Sequence, residues 1–342
     1  MLEMSTKVPK KILKELIETA KIGDVNIFKT IIDCFCTHDK KDISWVLISD
    51  KKGRSLMHIA SMHGHLKIVS FIRKSICDAT YDFALRKHYI DISDNKGRTA
   101  LFYACAGGYN KVVNFLLSRE ADITSFTNEA HMAPGSTALM ASAEKNHIKC
   151  VKLLLDASAD VYAQRKDKAD ALYMAARNGN HSVIKLLVSY GDKLDPIINR
   201  ETFHKRTAML TASMHGHLES CKTLRACGAG VNYADKDNLT ALAIASNEGH
   251  IHVVKWLVSQ GADVLTKSVE PALDGALANG HLQIFNFLIL AQDILKNGGD
   301  REDVGNIEVD KIEKDRKLSV EVVVEEKNQM NEIQYIEWLA RM

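Results

Sequence analysis

Little in this sequence draws it toward a membrane, a nucleic acid or an oxidising compartment. The apolar run Phe287 to Ala291 is far shorter than the roughly 20 residues that a bilayer span needs. Met1 to Lys11 has no apolar core, so no secretory signal is expected there. Charge of one sign is not in excess: 45 basic and 43 acidic side chains leave +2, too little for a global field. The basic pairs Arg73-Lys74, Arg86-Lys87, Arg165-Lys166 and Lys205-Arg206 are short and interspersed with acids, which argues against a nucleic-acid face. Four prolines are few enough for a mostly helical chain. Seven cysteines, an odd number with no CxxC spacing, predict free thiols and a reducing, cytoplasmic setting.

The usual marks of chemistry are also missing. There is no Gly-x-Ser-x-Gly elbow, no phosphate loop and no dinucleotide glycine pattern. The closest approach to a nucleophile site, Cys34-Phe35-Cys36 near His38, reads more simply as thiols in a cap or loop. Two His-x-His pairs, His63/His65 and His215/His217, invite a metal, yet they lie far apart in sequence with no cysteine or carboxylate cluster at ligand spacing. No catalytic residue, cofactor or metal site is therefore predicted, and the chain is not expected to be an enzyme.

What the chain does have is repetition. Ser61-Met62-His63-Gly64-His65-Leu66 recurs unchanged as Ser213-Met214-His215-Gly216-His217-Leu218. Weaker copies place a glycine at 108, 179, 249 and 280, with Asn146 standing in once. The steps along this ruler are 44, 38, 33, 37, 33 and 31, a basal period of 33 with insertions. Before each glycine runs a segment such as Gly97-Arg98-Thr99-Ala100-Leu101-Phe102-Tyr103-Ala104, and after it an apolar one such as Val253-Val254 with Leu257. A period of 33 with a Gly-x-Thr-Pro-Leu-His-x-Ala start resembles the ankyrin-repeat family. The matching starts are Gly53 to Ala60, Gly97 to Ala104, Thr137 to Met140, Asp170 to Tyr173, Thr207 to Leu210 and Thr240 to Ala243. Repeat ends such as Ala121-Asp122-Ile123 and Gly261-Ala262-Asp263-Val264 match too. Proline is absent from the second motif position throughout, and histidine holds the fourth only at His58.

The resemblance implies an all-α fold, an ankyrin-repeat α-solenoid of helix-turn-helix units with β-hairpin fingers. Residues 1–49 are expected to form N-terminal capping helices and a linker. Residues 50–292 then hold about seven repeats, the last degenerate and capping, and 293–342 a charged tail. Thr or Ser caps each first helix, small residues let neighbouring first helices approach, and the glycine ends the helix at positive φ. Ser220, Cys221 and Arg225 mark the fifth outer helix as a weak joint. Within the tail, Leu318 to Val324 is β-prone and Asn331 to Met342 has an amphipathic helical pattern.

Function must then lie in what varies between copies, namely the residues just before each glycine, which the resemblance places on the concave face. They are Met62, His63, Glu144, Lys145, Arg177, Asn178, Met214, His215, Asn247 and Glu248, and they shift between soft apolar, basic and acidic. Gly64, Gly216, His65 and His217 read as structural. Insertions fall at Ser75–Asp91, Ser125–Pro134 and Lys193–Lys205, the first presenting Tyr81, Phe83 and Tyr89. The reading is a monomeric protein-binding module (scaffold, adaptor or inhibitor) with a protein partner, no nucleic acid and no membrane insertion. The alternatives are a secreted effector of an intracellular parasite or symbiont, and partner binding through the tail with the repeats as holder.

Overall fold

The computed structural model describes residues 10–35, 44–128, 134–191, 197–266 and 269–305. Cys36, His38, Leu318–Val324, Asn331–Met342 and parts of the second and third insertions lie outside them. The chain divides into two compact units, one of residues 1–175 with 189–191, the other of 176–188 with 192–342.

In the first unit, α1 (Lys10–Ile22) and α2 (Val25–Phe35) form the expected pair, broken at Gly23 with φ +87°. A 3₁₀ turn (Ser44–Leu47) follows. Hairpins then repeat: α3 (Leu56–Met62) with α4 (Leu66–Ala79), α6 (Ala100–Ala106) with α7 (Asn110–Leu117), and α8 (Ala138–Glu144) with α9 (Ile148–Asp156). The first insertion does two things at once. It lengthens α4 through Ala79 and adds a separate helix, α5 (Phe83–Ile90), of which only Ile90 is buried. The helices α10 (Ala171–Arg177) and α11 (His181–Tyr190) continue the chain. In the second unit a 3₁₀ turn (Ile197–Asn199) precedes α12 (Ala208–Met214) with α13 (Leu218–Ala226) and α14 (Ala241–Asn247) with α15 (Ile251–Ser259). The last pair is α16 (Glu270–Ala278) with α17 (Leu282–Lys296), followed by α18 (Arg301–Gly305). The helix α17 thus runs past residue 292 to Lys296, and Arg301 anchors α18 by donating to the carbonyls of Val258 and Ala262.

Packing explains the repeat. In the first unit α3 packs on α6 and α6 on α8, while α4 packs on α7 and α7 on α9. The second unit repeats this, with α12 on α14 and α14 on α16 in one layer and α13 on α15 and α15 on α17 in the other. Ala60, Ala104, Ala175, Ala212, Ala245 and Ala276 are fully buried, and a larger side chain there would hold the first helices apart. The second helices bury Ile68, Val69 and Ile72, then Val112, Val113 and Leu116, then Val253, Val254 and Leu257. Each such side chain stabilises by about 1.5–3 kcal/mol, but only when the next hairpin covers it. The suspected weak joint is packed: Ser220 and Cys221 of α13 are buried, and Cys221 Sγ lies 3.6 Å from Ser213 Oγ.

The caps are where the motif places them. The hydroxyls of Thr99, Thr137, Thr207 and Thr240 accept from the backbone N–H three residues on, and Asp170 does the same for Tyr173 at 2.8 Å. His58 closes a box with Ser55, its Nδ1 taking the Ser55 N–H at 2.9 Å. Thr207→Ala should therefore cost about 1 kcal/mol, measured by urea denaturation, whereas Thr207→Ser should be close to neutral.

The fingers differ from a laddered β-hairpin. Among the described residues they close on single antiparallel bridges, Ser49 with Ser55, Phe126 with Thr137 and Ala234 with Thr240. Side-chain bonds replace the ladder. Asp50 Oδ1 accepts from Lys52 N and Arg54 N, and Asp94 Oδ1 from Lys96 N and Arg98 N. Neighbouring tips are joined by the main chain: Asn95 N donates to Lys52 O at 3.1 Å, Asn128 N to Lys96 O at 2.9 Å and Lys236 N to His204 O at 3.0 Å.

Candidate interaction surface

From α3 to α14 the first helices are only seven residues long, and in α3 everything from Leu56 to Ser61 is buried. In α3 a side chain emerges at the C-terminal end, which is where the variable positions fall. Arg177, Asn178, His215, Asn247, Glu248 and Lys145 are exposed, while Met62, His63, Glu144 and Met214 are half-buried.

Histidines that follow the repeat glycine, or Asn146 in its place, fix this edge. His65 Nε2 reaches back to Lys21 O at 2.6 Å, His147 to Ala106 O at 3.1 Å, His217 to Arg177 O at 3.1 Å and His250 to Met214 O at 3.0 Å. A ring nitrogen facing a carbonyl must carry the proton, so each imidazole donates to the helix end one repeat earlier. The same rings cover the glycines: a Cβ on Gly23, Gly108, Gly179 or Gly216 would run into the next histidine. These histidines are structural, as the sequence implied for His65 and His217, and the Nε2 atoms of both are already engaged. Among the described residues no group of three or more His, Cys, Asp or Glu is placed to hold a metal.

The half-buried methionines are less free than the sequence suggested. Arg54 Nη1 lies 3.6 Å from Met62 Sδ, and Arg206 Nη1 lies 3.8 Å from Met214 Sδ. The duplicated hexapeptide therefore sits under a finger arginine in both units. Burial, then His65, Lys21 and Arg54, hold the His63 imidazole below its ordinary value. His215 is lowered mainly by burial, helped by His217 and Arg177 and opposed by Glu248. Both rings are thus neutral near pH 7. Glu144 pairs with Lys145 at 3.4 Å, and Asn279 Nδ2 donates to Asn247 Oδ1 at 2.8 Å. In the insertion Tyr81 is 93% exposed and Phe83 61%, while Tyr89 is half-buried. The guanidinium of Arg86 lies 5.9 Å from the Tyr81 ring centroid.

Two residues were missed in the sequence. Phe102 and Tyr173 occupy the fourth motif position, where His58, Met140 and Leu210 are buried, yet both stand half out of α6 and α10. An aromatic at a position otherwise held by smaller side chains was the available signal. Burial pushes the Cys150 and Cys221 thiols up to about 11, too high to supply thiolate at neutral pH.

His58 gives a pH test. It is 1% exposed, and burial lowers its pKa against the opposing pull of Asp94 and the Arg98 carbonyl, which takes Nε2 at 2.9 Å. The unfolded chain binds this proton more readily than the folded one. Stability from His58 is therefore complete above about pH 6.5 and is lost as pH falls below it toward the folded pKa. The His58 ring resonance should titrate below the ordinary imidazole midpoint in NMR spectra, and a midpoint at or above it would contradict the buried neutral ring.

A family profile described as "Ankyrin repeats (3 copies)" matches residues 7–127, 125–197 and 208–298. The chain belongs to the ankyrin-repeat family. Ankyrin repeats are generally protein–protein interaction modules. The human ASB11 ankyrin-repeat domain superposes with a TM-score of 0.56 at 19% identity, covering 71% of this chain and 96% of that one, a likeness of fold. The chain is 32% identical to the ankyrin repeat and KH domain-containing protein mask-1 of Caenorhabditis elegans over 44% of its own length. It is 28% identical to a mouse B-cell lymphoma 3 protein homolog over 38%. It spans only 6% and 29% of those two ankyrin-repeat proteins. Among the described residues no helix is long and apolar enough to cross a membrane.

Proposed function

We propose that this ankyrin-repeat chain is a non-catalytic module that binds a protein partner as scaffold, adaptor or inhibitor, through the ends of its first helices and the adjoining fingers. One observation carries the reading. At Arg177 and Met214, side chains that differ between repeats stand on backbone already fixed by the next repeat's histidine. Such a surface loses little conformational freedom on binding, and pre-organisation of this kind favours affinity. The half-buried Met62 and Met214 offer soft contact area, with exposed charge and amide groups as a polar rim.

The test is affinity capture from a cell lysate with the full chain and with a variant carrying Met62→Ala, His63→Ala, Met214→Ala and His215→Ala. Partner recovery is expected to fall about tenfold or more, with the melting temperature little changed. Unchanged recovery would remove these positions from the binding surface.

A further inference from the structure

On three successive second helices of the first unit, lysine stands where a helix least favours it. Lys67, Lys111 and Lys149 are each the second residue of their helix, α4, α7 and α9, whose first turns hold no acid and whose N-caps make no side-chain bond. The positive end of the helix dipole repels a cation there and favours a carboxylate. Elsewhere the same place holds Ser182, Glu219, His252 and Gln283, and Glu219 of α13 pairs with Lys222 at 2.8 Å. All three lysines are exposed, and among the described residues none makes a hydrogen bond or ion pair. The helix α7 has no acid, and Asp78 of α4 and Asp156 of α9 stand eleven and seven residues beyond Lys67 and Lys149. Pairing on a helix surface reaches only three or four residues. Stability therefore does not account for these lysines.

Packing sets them in line. Within this one unit α4 lies on α7 and α7 on α9, so equivalent positions recur at the spacing of neighbouring helices, about 8–10 Å. His65 and His147 reach back to Lys21 O and Ala106 O, which holds the turns just ahead of Lys67 and Lys149. Lys67 follows His63 by four residues and Lys149 follows Lys145 by four, so the row borders the proposed binding edge.

Resting on the protein-binding reading above, we propose that Lys67, Lys111 and Lys149 bind an extended acidic segment of the partner, with a carboxylate at about every third residue. An extended chain advances about 3.3 Å per residue, so about three residues span one rung of the row. A nucleic-acid strand carries a charge about every 3.4 Å, roughly two- to threefold denser than the rungs. The row also lacks the guanidinium forks that suit phosphate.

Fluorescence anisotropy on the full chain tests this with a labelled twelve-residue peptide of serine and glycine carrying glutamate at every third position. The comparison probes are a peptide of the same composition with its glutamates contiguous, and a twelve-nucleotide single-stranded DNA. Co-sedimentation with phosphatidylcholine vesicles containing phosphatidylserine tests a lipid surface. The spaced peptide is expected to bind about threefold or more tighter than the contiguous peptide or the DNA, and to weaken steeply between about 50 and about 500 mM salt. The variant Lys67→Glu, Lys111→Glu, Lys149→Glu should lose about tenfold of that affinity. Its melting temperature should hold or rise, because a carboxylate suits that turn of the helix. Equal binding of the two peptides, indifference to the triple reversal, or tighter binding of the DNA would each overturn the proposal. So would vesicle association that the reversal abolishes, or loss of peptide binding accompanied by a lowered melting temperature. If the captured partner is lost with the methionine and histidine variant but unaffected by lysine reversal, protein binding stands and the acidic assignment alone falls.

Discussion

Replacing Asp94 by alanine is expected to destabilise the first unit by about 2–4 kcal/mol, among the largest effects of any single polar substitution. The Asp94 side chain is fully buried and holds four donors: Lys96 N, Arg98 N, the Arg98 guanidinium and the Tyr103 hydroxyl. Removing it leaves a half-buried guanidinium and a buried phenol without their acceptor. Arg98 keeps some contact with water, its side chain being 20% exposed, so the loss stays below that of a fully enclosed ion pair. Tyr103→Phe removes one bond of the set and should cost about 1 kcal/mol. Urea denaturation of both variants checks the ratio, and equal costs would mean that the carboxylate does not organise the finger.

The same group makes the fold acid-sensitive. Burial raises the Asp94 pKa, but the bonds from Arg98 N, Tyr103, the Arg98 guanidinium and Lys96 N outweigh it, and the net shift is downward. Asp50 behaves alike, with Arg54 and Lys52 outweighing burial. For a carboxylate with a depressed folded pKa, the added stability is complete above the unfolded value of about 3.9 and is lost as pH falls through the folded one. Acid unfolding below about pH 4 should therefore be blunted in Asp94→Asn relative to the parent, although the variant is less stable at neutral pH.

Gly64→Ala is the second large effect, expected to cost about 2–3 kcal/mol. Gly64 has φ +78°, a conformation that costs an L-residue about 1–2 kcal/mol. A Cβ there would also lie 2.3 Å from Cδ1 of Tyr109, so the ring must move. Gly280→Ala separates the two terms, because φ is +74° and nothing lies within 4 Å of the added atom. Its cost should be about 1 kcal/mol. Equal losses for the two variants in urea denaturation would show that the Tyr109 contact carries no weight.

Much of this was legible in one dimension. The 33-residue ruler located every first-helix end, including Asn146, which takes φ +61° where its counterparts are glycine. Thr99, Thr137, Thr207 and Thr240 are caps because a hydroxyl before a helix has free N–H groups within reach, a relation local in the chain. The break at Gly23 followed from an equally local fact.

The duplicated Ser-Met-His-Gly-His-Leu stretch shows where that legibility ends. Sequence alone determined that both copies close a first helix, that Gly64 and Gly216 permit the turn, and that Met62, His63, Met214 and His215 come near the surface. Only the tertiary structure decided what each side chain does there. His65 and His217 donate to carbonyls 44 and 40 residues away, and Arg54 and Arg206 lean on the two methionines. It also turned Asp94 and Asp235 inward and left Lys51, Lys52 and Lys236 outside. Helix ends, caps and turns are set by neighbours a few bonds away, which the order of residues records. Contacts between repeats depend on how the units stack, and the side chains that meet there are tens of residues apart in the chain.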